Sequence, residues 1–135
     1  MHTCLTCVFE HRQSTKHSQQ LYTLPSRIAY AGWTQTNIDN YNGPTPDLVA
    51  GLAEHVRGTL EATYVIAESG TAGPTSSGKG ANRQPGYVAL AVSSAGGTYR
   101  CDKETGKKER EENMLAFARE GLAFLKEVLD GKAKL

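Results

Sequence analysis

A surplus of one charge is missing from this sequence. Fifteen Lys and Arg stand against 14 Asp and Glu, a formal net charge of +1. A nucleic-acid partner would leave a basic footprint, so none is expected. No apolar run approaches the ~20 residues that span a bilayer, so no membrane partner is expected either. The opening "TCLTCVF" is followed at once by polar residues. A secretory signal needs a longer apolar stretch and a small-residue cleavage site, so the expectation is a cytoplasmic chain. Three cysteines are an odd number, which argues against a disulfide framework. Internal repeats are lacking too. What remains is 135 residues of ordinary aliphatic content, enough for one domain with one core.

The first nineteen residues are polar, rich in His and without sustained periodicity, and are expected to form a poorly ordered arm. His2, Cys4, Cys7 and His11 are ligand types that zinc uses. All four fall within ten residues, closer than the two halves of a folded zinc site, so free thiols and no metal are expected. Residues 20–135 are expected to be the domain. Gln20 to Thr23 read as a short strand, and Ser26 as the cap of a short helix carrying Ile28, Ala29 and Tyr30. "TQTNIDNYNGPTP" reads as a turn-rich connection.

A stronger helix signal follows. Thr45 suits the N-cap, Pro46 the first helical position, and Asp47 the positive end of the dipole. Leu48, Val49, Leu52, Val56 and Leu60 recur at near-helical spacing. Residues 62–69 and 86–93 are continuous apolar runs that predict buried strands, the second paired in a hairpin with "TYRC". A long helix from about Lys108 to Asp130 carries two adjacent apolar stripes. One runs Leu115, Ala118, Leu122, Leu125, Leu129 and the other Met114, Phe117, Gly121, Phe124, Val128, as for a helix lying on a sheet. The order predicts a layered αβα domain of the α/β class with a mixed sheet.

Between the two strands lies "ESGTAGPTSSGKGANRQPG". Gly73 to Lys79 is one step from a phosphate-binding P-loop, Gly-x-x-x-x-Gly-Lys-Ser/Thr. Gly80 replaces the magnesium-holding hydroxyl, and a strand follows rather than a helix, so that chemistry is excluded. "SGTAGP" is the more specific half. It begins at a strand end, where Gly permits close backbone approach and successive N–H groups can hold an anion. Lys79 and Arg83 offer cations to a phosphate.

The stretch "SGTAGPTSSGKGANRQPGYVALAV" resembles the C-terminal domain of the competence/damage-inducible protein CinA. Ser69 takes the Thr place of the family loop, and Gly70, Ala72, Gly73 and Pro74 match it. Arg83 falls at the basic place, with Gly86, Val88 and Ala91 in the following strand. Upstream, "LYTLPSRIAYAGW" is similar to the family's Tyr-x-x-x-x-Lys segment, with Tyr22 at the Tyr, Arg27 at the Lys and Gly32 at the turn. The resemblance covers about residues 20–130.

That resemblance implies kinship with nicotinamide-nucleotide amidases, which hydrolyse nicotinamide mononucleotide to nicotinate mononucleotide and ammonia. It implies a Ser nucleophile assisted by Tyr and Lys, with no metal and no cofactor. Two departures matter. The family serine lies in Glu-Ser-Cys-Thr-Gly-Gly between a first strand and a helix, and this sequence contains no such segment. The expectation is therefore a domain lacking that first strand and nucleophile helix, and an inactive or incomplete chain. Arg27 stands where the Lys belongs, and arginine stays protonated, so it can bind phosphate but cannot accept a serine proton. The expected site comprises Tyr22 and Arg27 in the catalytic places, with Ser69, Gly70, Thr71, Ala72, Gly73 and Arg83 as ligand-binding residues. The expected partner is a pyridine nucleotide. An exposed sheet edge would also favour a homo-oligomer. The alternative is a non-catalytic nucleotide-binding or protein-interaction domain.

Overall fold

The computed structural model describes residues 2–9, 16–21 and 23–135, with the first two strands described by backbone alone. Five strands form one sheet in the order β2-β1-β3-β4-β5: β1 His2–Phe9, β2 Lys16–Gln20, β3 Tyr64–Thr71, β4 Tyr87–Ser94 and β5 Gly97–Glu104. Among the described residues four α-helices accompany it: α1 Leu24–Ala31, α2 Gln35–Asp39, α3 Pro46–Leu60 and α4 Arg110–Leu129. The helices pack on both faces of the sheet, giving the three layers expected. Every described pairing is antiparallel, so the sheet is not mixed.

β3 and β4 explain themselves as continuous apolar runs buried on both faces. Val65 and Ala67 meet Val49, Leu52, Ala53 and Val56 of α3 on one face. Ile66, Val88, Leu90 and Val92 meet Phe117 and Phe124 of α4 on the other. The Gly96-Gly97 turn returns the chain into β5, as the hairpin signal indicated.

α3 begins as its sequence dictates. Thr45 accepts from the Leu48 N–H at 3.1 Å, and Pro46 opens the helix. The cap of α1 is Thr23 rather than Ser26. Its hydroxyl accepts from the Ser26 N–H, and Pro25 sits in the first turn, where a missing N–H costs nothing. The connection read as turns contains α2, closed by a capping box between Thr34 and Asn37.

The expected N-terminal arm is replaced by β1 and β2. Without β1, the whole length of β3 would be an edge with unpaired backbone groups. β1 pairs with it from His2–Thr71 to Phe9–Tyr64. His11 lies outside the described residues, so the His/Cys string is not described as a site. No cluster of metal-ligating side chains occurs among the described residues.

α4 buries only one of its two apolar stripes. Asn113, Phe117, Gly121 and Phe124 face the sheet, with Gly121 over Leu90 and Ile66. Leu115, Leu122 and Leu129 remain more than half exposed. Among the described residues, no helix is long and apolar enough to cross a membrane.

Candidate functional site

The strand-end loop is held from three sides. The Gly86 N–H donates to the Thr71 carbonyl at 2.9 Å and closes the excursion at its base. Inside it, Ser77 N–H donates to the Arg83 carbonyl, and the Arg83 guanidinium donates back to the Ser77 carbonyl at 3.1 Å. Asn82, on a single 3-10 turn over Ala81–Arg83, donates to the carbonyls of Asn42 and Pro44 and ties the loop to the start of α3. The third tie is Asn113 of α4. Its fully buried amide donates to the Ala72 carbonyl at 2.8 Å and to the Lys107 carbonyl at 3.1 Å, while accepting from Thr105. Nothing in the α4 sequence pattern singled out Asn113. A polar residue in register with Phe117 and Phe124 on the buried stripe was its only signal.

The loop glycines make room for protein atoms. A Cβ on Gly70 would lie 2.6 Å from the Tyr87 carbonyl oxygen and 2.8 Å from the Phe117 ring. Gly73, at φ +85°, would meet the Lys108 carbonyl oxygen at 2.5 Å. Close approach is indeed what these glycines permit, but here the approaching groups belong to β4, α4 and the segment before it. Ser69, Thr71 and Ala72 are buried. Thr71 Oγ1 donates to the Asn82 carbonyl at 3.3 Å, whereas the Ser69 hydroxyl has no hydrogen-bond partner.

Arg27 lies unexpectedly deep. It is the largest fully buried side chain among the described residues, only 1 % exposed. Its guanidinium lies over the Trp33 ring at 4.8 Å and the Tyr41 ring at 5.0 Å. Its Nε and Nη1 have no hydrogen-bond partner, and no ion pair to it occurs among the described residues. Arg83 approaches the same Tyr41 ring at 5.9 Å, its Nε also buried and unpartnered. Two guanidinium groups therefore share one aromatic ring. Tyr41 is the ring contact that Arg27 and Arg83 have in common. Tyr22 lies outside the described residues.

The other buried charge-bearing group among the described residues is Glu68, on β3. Strand alternation turns it to the α4 face with Ile66, away from α1. Burial raises its carboxyl from 4.5 to about 8, and its Oε1 is unpartnered.

A layered α/β domain with an antiparallel sheet, a Gly-rich loop at a strand end and paired arginines beside it is the class these observations define. The chain belongs to the CinA C-terminal domain family, which matches residues 3–129. That match reaches into the first nineteen residues, upstream of where the sequence motifs begin. Among curated relatives, the CinA-like protein of Shewanella amazonensis is 26 % identical over 113 residues, covering 83 % of this chain and 26 % of its own length. The CinA-like protein of Shewanella frigidimarina is 27 % identical over 95 residues, covering 70 % of this chain and 22 % of its own. The chain thus spans about a quarter of the curated relatives it matches. Among solved structures, the competence damage-inducible protein A of Klebsiella pneumoniae superposes with a TM-score of 0.71 at 20 % identity, covering 82 % of this chain and 66 % of that one. A CinA superfamily protein of Escherichia coli gives 0.69 at 20 % identity, covering 80 % and 61 %. These likenesses establish the fold.

Proposed function

We propose that this chain binds the phosphate of a pyridine mononucleotide between Arg27 and Arg83 without hydrolysing the nucleotide. The observation that carries the reading is Arg27, a buried guanidinium with two unpartnered nitrogens beside a second arginine on the same ring. A desolvated cation costs several kcal/mol, and cation–π contact returns about 2 kcal/mol of it. An anion between the two guanidinium groups removes the remainder. Arg83, half-exposed, makes first contact, and movement of the Tyr41 ring admits the phosphate to Arg27.

The amidase chemistry of the family resemblance is the finer question. The serine nearest the loop motif, Ser69, is fully buried. Arginine in the lysine place cannot serve as a base. Both features favour binding over turnover.

Nicotinamide mononucleotide is expected to raise the melting temperature of the wild-type chain, with no ammonia released. Arg27→Met is expected to lose that response while making the unliganded chain about 1–2 kcal/mol more stable, since a buried unpaired charge is replaced by a side chain of similar length. Ammonia release by the purified chain would reject the non-catalytic reading. An Arg27→Met chain that still responds to the nucleotide would reject the phosphate site.

A second reading rests on α4. Leu115, Leu122 and Leu129 are exposed and seven residues apart, with Ala118 and Leu125 between them. This is the spacing of a coiled-coil seam, and it suits a second copy of the chain. Light scattering is expected to show a mass that rises with concentration, and Leu122→Glu to abolish the rise. A wild-type chain that stays monomeric throughout rejects it.

A further inference from the structure

The arginine pair leaves unused a cleft of about 500 Å3 between α2, the end of α1 and the outer face of α3. We infer that this cleft is a binding site for an uncharged purine nucleoside.

Three properties of its wall point there. First, Trp33 and Tyr41 both line it, and their centroids are 5.8 Å apart with the planes tilted by 52°. The Arg27 guanidinium fills the angle between the two rings, and the remaining surface of each that lines the cleft offers an aromatic platform to a flat ring. Second, three amides converge on it: Asn37, Asn40 and Asn42. Asn37 Oδ1 is committed to Thr34, accepting from both its N–H and its hydroxyl, which leaves its NH2 group as a donor. The amides of Asn40 and Asn42 hydrogen-bond to no described residue. A carboxamide offers a donor and an acceptor side by side, which matches the adjacent ring nitrogen and amino group of adenine. The cleft volume falls within the ordinary range for small-molecule sites, about 300–1,000 Å3.

Electrostatics then selects the charge of the occupant. Arg27 stacks on both rings but does not line the cleft. Its positive field reduces the attraction of those rings for a cation. The one carboxylate in the wall, Asp47, is 3.3 Å from Arg100. A pyridinium ring is therefore disfavoured, and a neutral heterocycle fits. This site takes a nucleoside with no phosphate; it shares the Tyr41 ring with the Arg27–Arg83 reading, and its test alters neither arginine, so the two can fail separately.

The chain has a single tryptophan, and it is Trp33, so its fluorescence reports on this cleft. Adenosine is expected to quench it saturably, and nicotinamide riboside, a cationic pyridinium, to do so only weakly. Gly51 supplies the control. It lines the cleft, and a Cβ there meets nothing within 4 Å. Gly51→Leu therefore projects a side chain into the cleft, strengthens α3 and leaves the core untouched. The saturable quench is expected to vanish in Gly51→Leu while its circular dichroism and melting stay at or above wild type. No saturable quench up to the solubility limit of adenosine overturns the inference. So does a quench that persists in Gly51→Leu, or one as strong with nicotinamide riboside.

Discussion

Between about pH 5 and pH 8 the folded chain is expected to lose about 4 kcal/mol of stability relative to its Glu68→Gln variant. The cause is burial of the Glu68 carboxyl, which lifts it from 4.5 to about 8. The native state thus holds a proton that the unfolded chain has already released over this interval. A raised native value contributes fully below the unfolded value of 4.5 and is lost as pH climbs through 8. Stability must therefore fall with rising pH, the reverse of ordinary acid denaturation. Glutamine keeps the shape and hydrogen-bonding character of the protonated acid but has no proton to lose. Urea unfolding at pH 5, 6, 7 and 8 is expected to give a falling series for the wild type and a nearly flat one for Glu68→Gln. Parallel series for the two chains would place Glu68 in contact with water.

Much of this arrangement was legible in the residues, for identifiable reasons. α3 carried three independent start signals in Thr45, Pro46 and Asp47, and local signals of that kind survive any tertiary context. β3 and β4 were legible because a strand buried on both faces leaves a continuous apolar run. Glu68 belonged to such a run, and its burial followed from that membership. α2 was hidden because five residues give no periodicity and its capping box uses Asn37 where Glu or Gln is the usual marker. Which stripe of α4 buries was undecidable, since both are apolar. The face that buries is the one carrying Asn113, Phe117, Gly121 and Phe124. Arg27 was legible as a candidate site residue, but its burial was not. Charge predicts exposure, and only the two rings of Trp33 and Tyr41, six and fourteen residues on, make its burial tolerable. Likewise the glycines of "SGTAGP" announced close approach without saying what approaches.

For Gly70 the approaching groups can be ranked by experiment. Gly70→Ala is expected to cost about 3 kcal/mol, because the new methyl enters a core without free volume. Two neighbours oppose it: the Tyr87 carbonyl oxygen at 2.6 Å and the Phe117 ring at 2.8 Å. The ring is a side chain, and rotation of a few degrees relieves part of its contact. The carbonyl belongs to β4, which is paired along its length with β3 on one side and β5 on the other, so it cannot retreat. The backbone contact therefore sets the cost. Phe117→Leu trims the ring and by itself costs about 1 kcal/mol. If the carbonyl dominates, the double variant Gly70→Ala/Phe117→Leu is less stable than either single one, with losses that add to within about 0.5 kcal/mol. If the ring dominates, Phe117→Leu restores most of what Gly70→Ala removes. Chemical denaturation of the four chains decides between them, and the additive result is the one expected from a sheet whose central strands are fixed on both sides.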